Sequence, residues 1–179
     1  MTSLVAALLS FAQATSVLLF LDRYSVAPGF LGLVTAGIGG GGLGGSLLAA
    51  PLVARWGKGR VMLGAILAGG LGLAAVSISP TVWAAGLAYG IGAGGVAMWN
   101  VPWASARQSL VPGHLMGRVI GFARTIAWGL IPVATVAGGF AGRVSLQFSF
   151  AVGGLGVVAV GLLGARLILS TDFQEAIAE

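Results

Sequence analysis

The chain has 179 residues, 58% of them hydrophobic and 7% charged, with a net charge of +5 and no cysteine; its mean hydropathy is +1.03. A soluble domain carries about 25% charged residues, so this composition cannot cover a surface in water and the lipid bilayer must be the solvent. The modest positive charge is spread over short loops, which excludes the basic patch of a nucleic-acid binder, and the lack of cysteine excludes a disulfide framework and a thiolate metal site.

In chain order, apolar runs fall at about 3–21, 30–53, 61–78, 82–101, 119–141 and 148–169. Each is close to the roughly 20 residues that cross about 30 Å of hydrocarbon, so residues 1–179 are expected to form a single all-α bundle of six transmembrane helices. Ala12-Gln13-Ala14 has the small-x-small form of a signal cleavage site, but no positive charge precedes the run and it continues to Leu21; a first transmembrane helix is the better reading. Asp22-Arg23 ends that span, and Pro28-Gly29 makes a turn. Arg55, Lys58 and Arg60 form the next connection, and Ser79-Pro80 a very tight one. The longest polar interruption, residues 104–117, holds Arg107, Gln108 and His114 and is expected to be a connection, with Pro102 ending or bending the helix before it. Arg143 marks the end of the fifth span, and an acidic tail with Asp172, Glu175 and Glu179 is expected to fray.

The cationic residues are unevenly divided. Arg55, Lys58, Arg60, Arg107, Arg118, Arg124 and Arg166 fall on one side of the six spans, Arg23 and Arg143 on the other. The positive-inside rule then places both termini in the cytoplasm, as expected of a multi-pass protein of the plasma (inner) membrane.

Glycines recur every fourth residue: Gly37, Gly41 and Gly45 in the second span, Gly86, Gly90 and Gly94 in the fourth, Gly138 and Gly142 in the fifth. That spacing lines one helix face, where backbones approach closely; the same smooth faces would let helices slide or rock. On this basis the second and fourth spans are expected inside the bundle. The third and sixth, with almost nothing polar at their centres, are expected outermost, against lipid.

Polar residues inside spans are few, and an intramembrane polar group points to a cavity unless it is otherwise partnered. Gln13 and Ser16 in the first span, Trp99 and Asn100 in the fourth, and Arg124 and Trp128 in the fifth are the candidates for a substrate cavity. Each has a plainer reading. Trp99 and Trp103 suit an aromatic belt at the membrane boundary, Asn100 a helix-to-helix hydrogen bond, and Pro132 a kink. Arg124 lies about 9 Å deeper along the helix than Arg118 and could snorkel to the interface. No span contains a histidine or a central carboxylate, and neither a phosphate-binding loop nor a dinucleotide fingerprint is present. Neither metal, cofactor nor enzymatic activity is expected.

Two passages carry a family resemblance. Residues 50–60, APLVARWGKGR, stand where major facilitator superfamily transporters repeat a G-x-x-x-D-R-x-G-R-[RK] loop; Arg55, Gly57 and Arg60 match, while Ala50 and Ala54 replace the glycine and the acid. Asn100, Arg107-Gln108, Val111-Pro112, Gly117-Arg118-Val119, Arg124, Gly129, Pro132 and Gly138-Gly139 match a second run. The chain resembles the C-terminal six-helix half of such a transporter, closest to drug and siderophore exporters of the enterobactin-exporter type. The resemblance implies two inverted three-helix repeats in one bundle. Their first and fourth helices would line the cavity, the second and fifth would face a second bundle, and the third and sixth would face lipid. Arg55, Gly57, Lys58, Arg60, Arg107 and Arg118 would form the cytoplasmic gating loops, although Ala54 leaves the loop motif without its acid.

Alternating access needs two bundles, so the expected partners are lipid, a small-molecule substrate and a second six-helix bundle. That bundle would be either a missing N-terminal half or another copy of this chain. The function expected is export of small amphipathic or drug-like molecules by secondary transport. The alternative is a non-transporting membrane protein that acts through helix-helix assembly.

Overall fold

A computed structural model describes residues 2–110 and 113–169; the side chains of 106–110, 113 and 116 lie outside the described set, as does the acidic tail. Among the described residues the secondary structure is helical, without strands, and six helices are long and apolar enough to cross a membrane. The first span runs from Thr2 to Arg23 in three pieces: α1 (Thr2–Gln13), α2 (Ser16–Leu18) and a π-helical turn, Leu19–Arg23. The other five are α3 (Leu31–Trp56), α4 (Lys58–Ile78), α5 (Val82–Leu110), α6 (Gly113–Gly142) and α7 (Leu146–Leu163).

The turns follow from local chemistry. Gly57 alone separates α3 from α4, at φ 84° and ψ 162°, a conformation open essentially only to glycine. At the start of α5 the Thr81 hydroxyl accepts the Ala84 N–H at 3.3 Å, satisfying one of the free donors of the first turn. The interruption in the first span is tied across the bundle. Thr15, 1% exposed, donates its hydroxyl to the Leu146 carbonyl at 3.3 Å, and Tyr24 donates to the Ser79 carbonyl at 2.8 Å.

Two expectations about the elements change. The polar stretch after Pro102 is not a long connection, because α5 continues through Pro102 to Leu110 and α6 starts at Gly113. Leaving the membrane does not end a helix, and Ala104, Ala106, Arg107 and Gln108 are good helix formers. The sixth helix ends at Leu163 rather than Leu169; Gly164 breaks it, and a short helical stretch, 165–169, follows.

The helices pack as a chain of neighbours. The principal pairs are α3 with α5, α5 with α4, α4 with α7, α7 with α1, and α1 with α6; α3 with α4 and α6 with α7 touch more lightly. The third span is therefore the most enclosed of the six, not the outermost. Its buried residues run from Gly59 through Met62, Ala65, Gly69 and Leu73 to Val76. The second span, expected inside, is among the least enclosed, together with the fifth. A lack of polar residues excludes a cavity but cannot separate a lipid neighbour from a helix neighbour, since both are apolar.

Glycine seams set the contacts. A Cβ on Gly41 would meet the Gly90 backbone, and one on Gly45 the Gly94 backbone, so α3 and α5 cross nearly backbone to backbone. Gly138 similarly meets Phe11, and Gly142 meets Thr15, between α6 and the first span. Gly37 and Gly86, expected in the same seam, have no atom within 4 Å of the Cβ position, so neither is a point of tight backbone contact. A second seam was not anticipated: Gly72 abuts Gly92 and Ala88, and Gly95 abuts Ala65 and Gly69, so α5 is held by glycines on two faces. Gly70 and Gly154 join α4 to α7.

The apolar core has two clusters, one at each end of the bundle. Phe20, Leu73, Val76, Ala85 and Phe150 form the cluster near the Ser79 turn. There Tyr89 stacks on Phe20 at 6.5 Å and meets Phe150 edge-on at 5.6 Å. Met62, Ile66, Trp99, Val157 and Ile168 form the cluster toward the Gly57 end.

Candidate functional site

The second cluster forms the floor of a cavity of about 320 Å³ between α1, α5 and α6. Each wall is one helix stripe. Thr2, Ser3, Ala6 and Leu9 come from α1; Val96, Trp99, Asn100 and Trp103 from α5; Ala123, Arg124 and Ala127 from α6. These spacings of three and four residues put side chains on one face. Ala65, Ile66 and Gly69 of α4 and Val157 of α7 close the bottom.

Trp99 is 9% exposed and stacks on Trp103 with ring centroids 5.9 Å apart and planes inclined by 25°. It is therefore a core residue that also forms a cavity wall, rather than a lipid-facing belt residue. Asn100 and Arg124 both line the cavity and both remain exposed. The site thus combines an aromatic wall, an amide and a guanidinium, which is the mix of apolar surface and few polar groups that small-molecule sites use.

The other expected cavity residues lie elsewhere. Trp128 is 73% exposed and outside the lining. Gln13 is exposed at the end of α1, far along the helix from Thr2 and Ser3. Ser16 lies beside the Tyr89 hydroxyl in the opposite half of the bundle. Conversely, Trp103, Thr2 and Ser3 belong to the site although they were not among its expected members. Trp103 was legible from its spacing, four residues after Trp99 and three after Asn100; Thr2 and Ser3 gave no such signal.

A larger groove, about 1120 Å³, follows the α3–α5 seam past Leu33, Gly41, Leu48, Trp83, Leu87 and Ile91. Among the described residues its lining has no charged group, and Tyr24 and Ser25 sit at one end. Size alone does not make it the functional site, because nothing within its length could orient a polar ligand.

The loop residues gather at the Gly57 end. Arg55 and Arg60 are exposed on either side of the Gly57 turn, and Arg118 is exposed near the start of α6. Lys58 opens α4; for Arg107 only the backbone, in α5, is described. Pro132 lies within α6, which runs through it. Among the described residues no group of three or more His, Cys, Asp or Glu side chains is placed to hold a metal ion.

The chain matches no protein-family model, no curated protein and no solved structure.

Proposed function

We propose that this chain is one six-helix half of a secondary transporter of the major facilitator type, exporting small amphipathic molecules by alternating access. The cavity between α1, α5 and α6 carries the reading, because it collects Trp99, Asn100 and Arg124 in a bundle that is otherwise nearly all apolar. In a membrane such intramembrane polar groups mark a substrate path by default.

The helix neighbours support an inverted three-helix repeat. Exchanging the first three spans for the last three turns α3–α5 into α6–α1, α4–α5 into α7–α1 and α3–α4 into α6–α7, and leaves α4–α7 unchanged. The principal pairs thus map onto one another, as two related triplets would require. The first helix of each triplet, α1 and α5, contributes a cavity wall. The second helices, α3 and α6, are the least enclosed, which suits a face for a second bundle. The loop arginines Arg55, Arg60 and Arg118 would lie in the cytoplasm with both termini, in the plasma (inner) membrane.

The test is efflux of an amphipathic dye from vesicles reconstituted with protein whose mass, corrected for detergent, shows two bundles per particle. Flux above protein-free vesicles, lost in Arg124→Leu with helicity unchanged, is expected. A paired, monodisperse sample that moves nothing would instead favour a non-transporting protein that acts through helix assembly.

A further inference from the structure

We infer that the cavity between α1, α5 and α6 selects organic anions, molecules with an aromatic or other apolar body and one carboxylate-type group. The inference rests on the reading of this cavity as the ligand site. Among the described residues of the lining Arg124 is the charged one; Thr2, Ser3 and Asn100 are polar and neutral, and none is a carboxylate.

The whole chain has four acids, and Asp22 is the one among the described residues. It sits in the π-helical turn at the far end of the first span, about 30 Å from Thr2 along the helix axis. A cationic ligand would therefore meet a guanidinium with no carboxylate among the described lining residues to compensate. An anion would gain charge-assisted hydrogen bonds from that guanidinium, whose planar donors suit a carboxylate. The Asn100 amide is a further donor on the facing helix.

The rest of the lining defines the ligand's body. The stacked pair Trp99 and Trp103 forms a flat apolar wall, and Trp99 is fixed by packing with Met62, Ile66 and Val157. Ala123 and Ala127 are the other α6 residues of the lining, so the cavity wall on either side of Arg124 is built of small side chains. A volume of about 320 Å³ is at the small end of ligand sites, which restricts the body to about one ring and a short chain.

The experiment is calorimetric titration of the full chain in detergent with phenylbutyrate, phenylbutylamine and phenylbutanol, which share a body and differ in head group. The carboxylate is expected to bind roughly 10-fold or more tighter than the amine and the alcohol. Arg124→Leu should abolish that preference while leaving the alcohol within about 2-fold, and Arg124→Lys should keep part of it, since the charge remains without the fork. If Arg124→Leu does not fold, the wild-type order decides. An amine or alcohol that binds as well as the carboxylate, or an anion preference that survives in Arg124→Leu, overturns the inference, as does a monodisperse sample that binds none of the three. Anion preference without vesicle flux would uphold the inference and remove the transport reading. Flux without head-group preference would do the reverse.

Discussion

Gly45 of α3 crosses Gly94 of α5 so closely that a Cβ on Gly45 would lie 2.6 Å from the Gly94 Cα. No rotamer change relieves that contact, because the atoms concerned are backbone. Gly45→Ala should therefore force the helices apart and cost about 1–3 kcal/mol. Gly37, one seam position away from Gly41, has open space around its Cβ position. Gly37→Ala should be neutral or stabilise by up to about 1 kcal/mol through helix propensity. Unfolding of both variants by a denaturing detergent in mixed micelles checks the contrast; equal shifts would mean that the seam is not backbone to backbone.

Gly57 is the one-residue hinge between α3 and α4, and its φ of 84° is disfavoured for any residue with a Cβ. Gly57→Ala should destabilise the folded chain by about 1–3 kcal/mol and loosen the turn. The same micelle titration reads the first effect, and protease cleavage after Arg55 or Lys58 reads the second. A variant as stable and as resistant as the parent would show that the turn tolerates another backbone conformation.

The absence of cysteine makes the chain a clean background for mapping orientation. Trp56 is 53% exposed at the Gly57 end and Val144 is 82% exposed at the opposite end. With cytoplasmic termini, Val144→Cys should react with a membrane-impermeant maleimide added to intact spheroplasts. Trp56→Cys should react only after permeabilisation. The opposite pattern would invert the orientation drawn from the loop arginines.

The site was legible in part. Trp99, Asn100 and Arg124 could be picked out because each is a polar or amphipathic side chain near the end of an apolar run. Trp128 shares that description, yet it points away from the cavity lining; four residues on from Arg124, it marks the same broad stripe, and only the crossing of α6 over α1 decides which part of the stripe faces inward. Ser16 and Gln13 failed for a related reason. They lie toward the opposite end of the bundle, where Thr15 is tied to Leu146 and Tyr24 to Ser79.

What the amino-acid sequence determined by itself was the solvent, the helical class and the number and approximate limits of the spans. Those follow from hydropathy and length, which are local properties of the chain. The tertiary structure decided which helix is central, which glycines form seams and which polar residues share a cavity. Lipid tails and neighbouring helices are equally apolar, so Leu73 and Val76 in the enclosed α4 carry no compositional mark that separates them from Leu43 and Leu47 on the exposed face of α3. Burial inside a membrane bundle depends on how helices rotate and cross, and that is set by the close backbone contacts at Gly45, Gly72 and Gly154, between residues distant in the chain.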